Sequence, residues 1–227
     1  RDCLLSRGLG DVYKRQARYD RNQKDFLWLV DAGVALKTNC VTEPKTPLKR
    51  TAQSPKFKLY QSDTGMLMAR YPQPTAQAAY LDDSSPNLGA IYENVIAQEL
   101  TAQGIPLYYY MAKKHGEVDF IADTNADSVM PFEVKSGRSY RTHAAIDAVL
   151  ANAEYRISQG VVLSRSNIAQ DGGTTYLPLY ATYCLRDVCN LASPSTVSTI
   201  GDFSLTVHPV YCLLYTSPSP RDKRQSR

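Results

Sequence analysis

"PFEVKSG", residues 131–137, decides how the chain is read. It is an apolar, strand-like run in which Glu133 and Lys135 stand two residues apart. Side chains alternate along a strand, so Glu133 and Lys135 share one face and Phe132 and Val134 the other. A little upstream, "GEVDFIAD" (116–123) repeats the pattern, with Glu117 and Asp119 opposite Val118 and Phe120. Charged side chains are rare in runs this apolar unless something pairs with them. The polar "TNADS" (124–128) between the two runs predicts a hairpin that brings Asp119 and Glu133 to one end.

Working outward, "LGAIYENVIAQELTAQG" (88–104) repeats Ile91, Val95, Ile96 and Leu100 at helical spacing, and Gly104 ends it. Glu93 lies one turn from its start. "PLYYYMA" (106–112) reads as a strand, "THAAIDAVLANAEY" (142–155) as a second helix after a Thr cap, and "GVVLS" (160–164) and "TYLPLY" (175–180) as two more strands. Helix, three strands, helix and two strands predict an α/β domain with a mixed sheet over 88–185. Before it, "QKDFLWLVDAGVAL" (23–36) reads as a helix stopped near Gly33 and a short strand, with Trp28 as a core residue. "TEPKTPLKRTAQSP" (42–55) reads as loop with an edge strand. "KFKLYQSDTGMLMARY" (56–71) alternates and then turns helical after Ser62 or Asp63. Residues 17–71 are thus read as a small winged-helix-like region, the Pro-, Ser- and Asp-rich stretch 72–87 as a linker, and 186–211 as an irregular tail.

The ends read differently. "SRGLGDVYKRQ" (6–16) back-translates to a transposase-based sequencing adapter, and "CLLYTSPSPRD" (212–222) to the same adapter on the opposite strand. Residues 1–16 and 212–227 are therefore expected to be adapter-derived and are set aside. The chain carries 26 basic and 22 acidic residues. The two ends hold 8 basic and 3 acidic of these, which leaves 18 basic and 19 acidic between them. A net charge of −1 over 17–211 removes any argument for nucleic-acid binding from global charge. Cys40, Cys184 and Cys189 form neither CxxC nor a zinc spacing, which fits a reducing cytoplasm. No apolar run approaches the ~20 residues of a membrane span. Neither a Walker A motif nor GxGxxG is present.

The chemistry gathers on the hairpin. Asp119, Glu133 and Glu93 supply carboxylates, and Lys135 an ammonium. Carboxylate oxygens suit a hard divalent cation, and Mg2+ takes one or two of them plus water. Asp119 and Glu133 are the candidate metal ligands. Such an ion lowers the pKa of its water and offsets charge building on a phosphate, while a lysine orients the water or holds a phosphate oxygen. The bland reading is a surface ion-pair cluster with Lys135 bridging Glu133. Glu117 reads as an exposed neighbour and Glu99 as a boundary residue. Lys113, Lys114, Arg138 and Arg141 flank the candidate cleft in sequence, either as phosphate contacts or as ordinary solubilising charges. His143 reads as a solvated helix start or a phosphate contact, His115 as turn surface, and Tyr108–Tyr110 as core with one exposed ring.

Glu in a helix, Asp at a strand end and Glu-x-Lys in the next strand resemble the PD-(D/E)xK nuclease pattern. As a set, "WLVDAGVAL", "PLK", "FKLYQSDTGML", "GAIYENVIAQEL", "LYYY", "GEVDFIAD", "PFEVKSG" and "YLPLY" resemble the domain of unknown function that follows the ATPase domain in bacterial and archaeal AAA-type ATP-binding proteins. The resemblance spans about residues 17–185. It implies a restriction-endonuclease-like fold, with Glu93, Asp119, Glu133 and Lys135 at the nuclease motif positions. It also implies a P-loop ATPase domain, holding ATP, that precedes this segment and is missing from it. Two function classes follow: Mg2+-dependent hydrolysis of DNA, or an inactive nuclease-fold module that binds DNA or a protein partner for the missing ATPase.

Overall fold

In a computed structural model of the protein, residues 16–81, 88–112, 116–137 and 139–192 are described. The first helix, α1 (Gln16–Asp31), ends where the sequence places a stop. Gly33 adopts φ +69, its N–H reaches Val30 O at 2.9 Å, and Val34 N–H reaches Leu29 O at 3.0 Å. This is a Schellman closure, which favours glycine because a Cβ is strained at that φ. The chain then forms β1 (Ala35–Val41) and its antiparallel partner β2 (Ala52–Gln61). Between them a short turn, Leu48–Arg50, buries Leu48, whose N–H is held by both Asp123 carboxylate oxygens at 3.2 Å. The short α2 (Thr64–Met68) is capped by Asp63, whose Oδ1 accepts from Met66 N–H at 2.7 Å.

After α3 (Gln73–Tyr80) come α4 (Gly89–Ala102), β3 (Tyr108–Ala112), β4 (Gly116–Asp123) and β5 (Val129–Val134). The remaining elements are α5 (Ala144–Ala151), β6 (Gly160–Ser164), β7 (Ala169–Asp171), β8 (Thr174–Pro178) and α6 (Leu185–Val188). The strands form one eight-stranded sheet in the order β2-β1-β3-β4-β5-β6-β8-β7. Pairs β1–β3, β5–β6 and β6–β8 are parallel and the others antiparallel. The fold is mixed α/β, with helices on both faces of the sheet, as the element order predicts.

Each face is covered by its own helix. Ile96, Ala97 and Leu100 of α4 pack with Phe120, Phe132 and Leu163. Ala145 and Val149 of α5 pack on the other side with Val118, Ile121 and Val129. All five residues of β6 are buried, which is why "GVVLS" is apolar without alternation: it is a parallel strand covered on both faces. Phe120 and Phe132 are cross-strand partners and almost wholly buried, each burial stabilising by roughly 2–3 kcal/mol.

The structure departs from the sequence reading in four places. The boundary expected between 17–71 and 88–185 does not interrupt the sheet, because β1 pairs with β3 through Asn39–Tyr108, Cys40–Tyr109 and Val41–Tyr110. The described residues all fall in one compact unit. The stretch read as a linker holds α3 over Gln73–Tyr80, while 82–87 lie outside the described residues. Trp28 is 67% exposed rather than in the core; the inward aromatic of α1 is Phe26, edge-on to Phe57 at 5.6 Å. Of the stretch 186–211 read as an irregular tail, 186–192 are ordered against the sheet: Cys189 and Leu191 join the α4-side core, and Ala192 N–H bonds Asp123 O at 2.8 Å. Residues 193–227 and 1–15, which include the ends set aside above, lie outside the described residues.

Candidate functional site

The hairpin is the centre of the site. β4 and β5 pair from Asp123–Val129 to Phe120–Phe132, closed by Thr124 N–H to Ser128 O at 2.9 Å. On the other side of β4, Tyr108 pairs with Ile121 but Tyr110 with Val118. β4 therefore carries one more residue than β3 in that interval, a bulge at Asp119–Phe120. Bulges re-aim side chains and end regular pairing. Here the Asp119 carboxylate takes over from the backbone ladder, its Oδ2 accepting from Val134 N–H at 2.8 Å. Asp119 is thereby fixed against the strand segment that carries Glu133, and Val118 and Phe120, expected on one face, pack in the α5-side and α4-side clusters respectively.

Glu133 is 7% exposed and pairs through Oε1 with Lys135 Nζ at 2.5 Å. Its Oε2 is buried and has no hydrogen-bond partner. A buried carboxylate oxygen left unsatisfied is costly, so the position calls for a ligand. The Lys135 ammonium is more accessible than its partner, with 29% of its side chain exposed against 9% for Glu133. Its own N–H bonds Leu163 O at 2.8 Å, which fixes the backbone that carries it to β6.

A second cluster sits beside Asp119, and its organiser is Lys58 of β2. Lys58 is 9% exposed. Its Nζ forms an ion pair with Glu117 Oε1 and lies 3.8 Å from Glu93 Oε2 and 5.1 Å from the centre of the Tyr109 ring. Tyr60, two residues on, donates to Glu93 Oε2 at 3.1 Å. Burial alone would push the Lys58 ammonium down, but the carboxylates of Glu117, Glu93 and Asp119 outweigh it and hold its pKa above the ordinary value. Tyr60 is pushed well up, first by burial and then by Glu93 and Asp119. Asp119 is raised to about 8, by burial and then by Glu93, against the opposing pull of Lys58 and the Val134 N–H. Glu117 is thus a member of this cluster and not the exposed neighbour the sequence suggests.

Asn94 anchors α4, which carries Glu93, to β2. It is 2% exposed; its Oδ1 accepts from Gln61 N–H at 2.7 Å, and its Nδ2 donates to Gln61 O and Thr64 Oγ1 at 3.0 Å each. Sequence reading missed Lys58, Tyr60 and Asn94. The signal for the first two is the alternation in "FKLYQ", which puts Lys58 and Tyr60 on one face of β2.

The four predicted site residues do not make one cage. Asp119 joins Glu133 through the hairpin, and it feels Glu93 through the Lys58 cluster. Among the described residues, no three His, Cys, Asp or Glu side chains converge closely enough to hold a metal ion. Asp119 and Glu133 remain a fit for one hard cation, because two carboxylates, one with an unpartnered oxygen, suffice when water completes the shell.

Of the expected nucleic-acid contacts, Lys113, Lys114 and Arg138 lie outside the described residues, as does His115. Arg141 is exposed, 3.8 Å from Asp171 Oδ2, with its guanidinium over the Tyr140 and Tyr176 rings. His143 is not solvated: it is 7% exposed, and its Nε2 lies 2.7 Å from Tyr176 OH. Tyr109 and Tyr110 are buried and Tyr108 half-buried. Cys40, Cys184 and Cys189 are free thiols. Among the described residues no helix is long and apolar enough to cross a membrane.

Residues 88–182, from the start of α4 through β8, match the family model described as a domain of unknown function, DUF4143. β1 and β2, the second of which supplies Lys58, lie outside the matched segment. Comparisons with curated proteins and with solved structures found no match.

Proposed function

We propose that the chain carries a nuclease-like site of the PD-(D/E)xK kind, which hydrolyses phosphodiester bonds of DNA with Mg2+ and works beside an ATPase domain of the same protein. The observation that carries this reading is the unpartnered, buried Oε2 of Glu133 next to Lys135, on the strand that Asp119 grips through Val134 N–H. Asp119 and Glu133 would hold the ion, and Mg2+ would supply charge neutralisation and a water of lowered pKa. Lys135 would hold a phosphate oxygen or orient the attacking water. Glu93 would act through the charge it places beside Asp119. Arg141, with Lys113, Lys114 and Arg138, would contribute phosphate contacts.

A second reading is an inactive nuclease-fold module that binds DNA or a protein partner. Lys58 favours it, because an ammonium already offsets part of the negative charge beside Asp119. Incubating labelled linear DNA with the chain, in Mg2+ or Mn2+ and in EDTA, separates the two. The first reading expects metal-dependent cleavage that disappears in Glu133→Gln and falls at least a hundredfold in Lys135→Ala. Cleavage equal in wild type and Glu133→Gln, or none in either metal, overturns it. DNA binding that survives Glu133→Gln without cleavage then supports the second.

A further inference from the structure

Glu93 and Glu117 bring two carboxylates together beside Asp119, and a protein cation stands between them. Three observations single this out. Lys58 Nζ pairs with Glu117 and lies 3.8 Å from Glu93 while the residue is 9% exposed. Tyr60 OH lies 3.5 Å from Lys58 Nζ and 3.1 Å from Glu93 Oε2, which ties the two charges into one network. Thr38 faces Lys58 across the β1–β2 pair, is fully buried, and has an Oγ1 with no hydrogen-bond partner. Cross-strand partners share a face, so this orphan oxygen lies on the side of the sheet where the ammonium sits.

We propose that Lys58 is a positioning residue that serves as a built-in counter-cation: it closes the Glu93–Glu117 end of the cleft to divalent ions and confines metal to the Asp119–Glu133 end. A buried lysine between carboxylates holds their geometry without an ion and offsets part of the charge that would draw a divalent one. The site then takes one ion, and Glu93 serves as a fixed charge and not as a ligand. This rests on the reading that Asp119 and Glu133 bind metal, but its test does not.

The test is Mn2+ binding to the full chain, read by calorimetry and by thermal shift, in wild type, Lys58→Met, Lys58→Arg and Lys58→Met/Glu93→Gln. Lys58→Met is expected to gain Mn2+ binding at least tenfold tighter than any wild-type binding lost in Glu93→Gln, and the added Glu93→Gln should abolish the gain. Lys58→Arg should behave as wild type. The gain should persist in a Glu133→Gln background; absence of wild-type binding at Glu133 would count against the function proposed above and not against Lys58. Where Lys58→Met fails to fold in EDTA, Mn2+ is expected to restore its cooperative melting. Mn2+ binding in folded Lys58→Met that matches wild type overturns the proposal, as does Lys58→Met that Mn2+ does not rescue while Lys58→Arg folds.

Discussion

Asp119→Asn should stabilise the protein in alkaline solution. The Asp119 carboxyl is raised to about 8 in the folded chain, by burial and then by Glu93. Its unfolded value is the ordinary one, roughly 4. Between those values the native state holds a proton that the unfolded state has released, so stability falls as pH rises. One proton limits the slope to about 1.4 kcal/mol per pH unit, or at most about 3 kcal/mol between pH 5 and 7. Relaxation of the charge cluster lowers this bound. Lys58 and Tyr60 are shifted upward from values already near or above 10, so neither titrates in this window. Asparagine keeps an oxygen for the Val134 N–H and carries no charge. The assay is urea unfolding in EDTA from pH 5 to 8, followed by far-ultraviolet circular dichroism because Trp28 is too exposed to report on the core. The variant should lose most of the pH slope and exceed wild type in stability at pH 8. An identical slope in both proteins, or a wild type insensitive to pH over this range, would refute the electrostatic account of Asp119.

Asn94→Ala should cost about 2–4 kcal/mol in chemical denaturation, since it leaves Gln61 N–H and O and Thr64 Oγ1 short of partners between α4 and β2. A loss below 1 kcal/mol would mean that β2 and α4 are not held as one unit. At Gly173, an added Cβ would lie 2.7 Å from the Ser158 backbone oxygen. Gly173→Ala should therefore lower stability by about 1–3 kcal/mol, and an unchanged melting temperature would contradict that close packing.

The hairpin was legible because it rests on a period of two and a polar turn, both local properties. That is why β4 and β5 pair across the turn as expected. The bulge that aims Asp119 was not legible: nothing in "GEVDFIAD" marks it, and it arises from how β4 pairs with β3. Lys58 was hidden for a different reason. Its strand follows a proline-rich loop, and only the pairing of β1 with β3 shows that this edge belongs to the same sheet as the hairpin. Periodicity marks an apolar face on α1 but not what it meets, so it points to Trp28 as the inward aromatic where Phe26 fills that role. The core residues of 186–192, Cys189 and Leu191, sit in too short a segment for any period to register.

The measurement closest to the central claim is calorimetric titration of the chain with Mn2+ at pH 8, in wild type and Glu133→Gln. Glutamine preserves the shape of the side chain and removes its charge. One saturable site in wild type, lost in a Glu133→Gln variant that still melts cooperatively, is the predicted result. Equal binding in the two proteins, or none in a folded wild type, would contradict a metal site at Asp119 and Glu133.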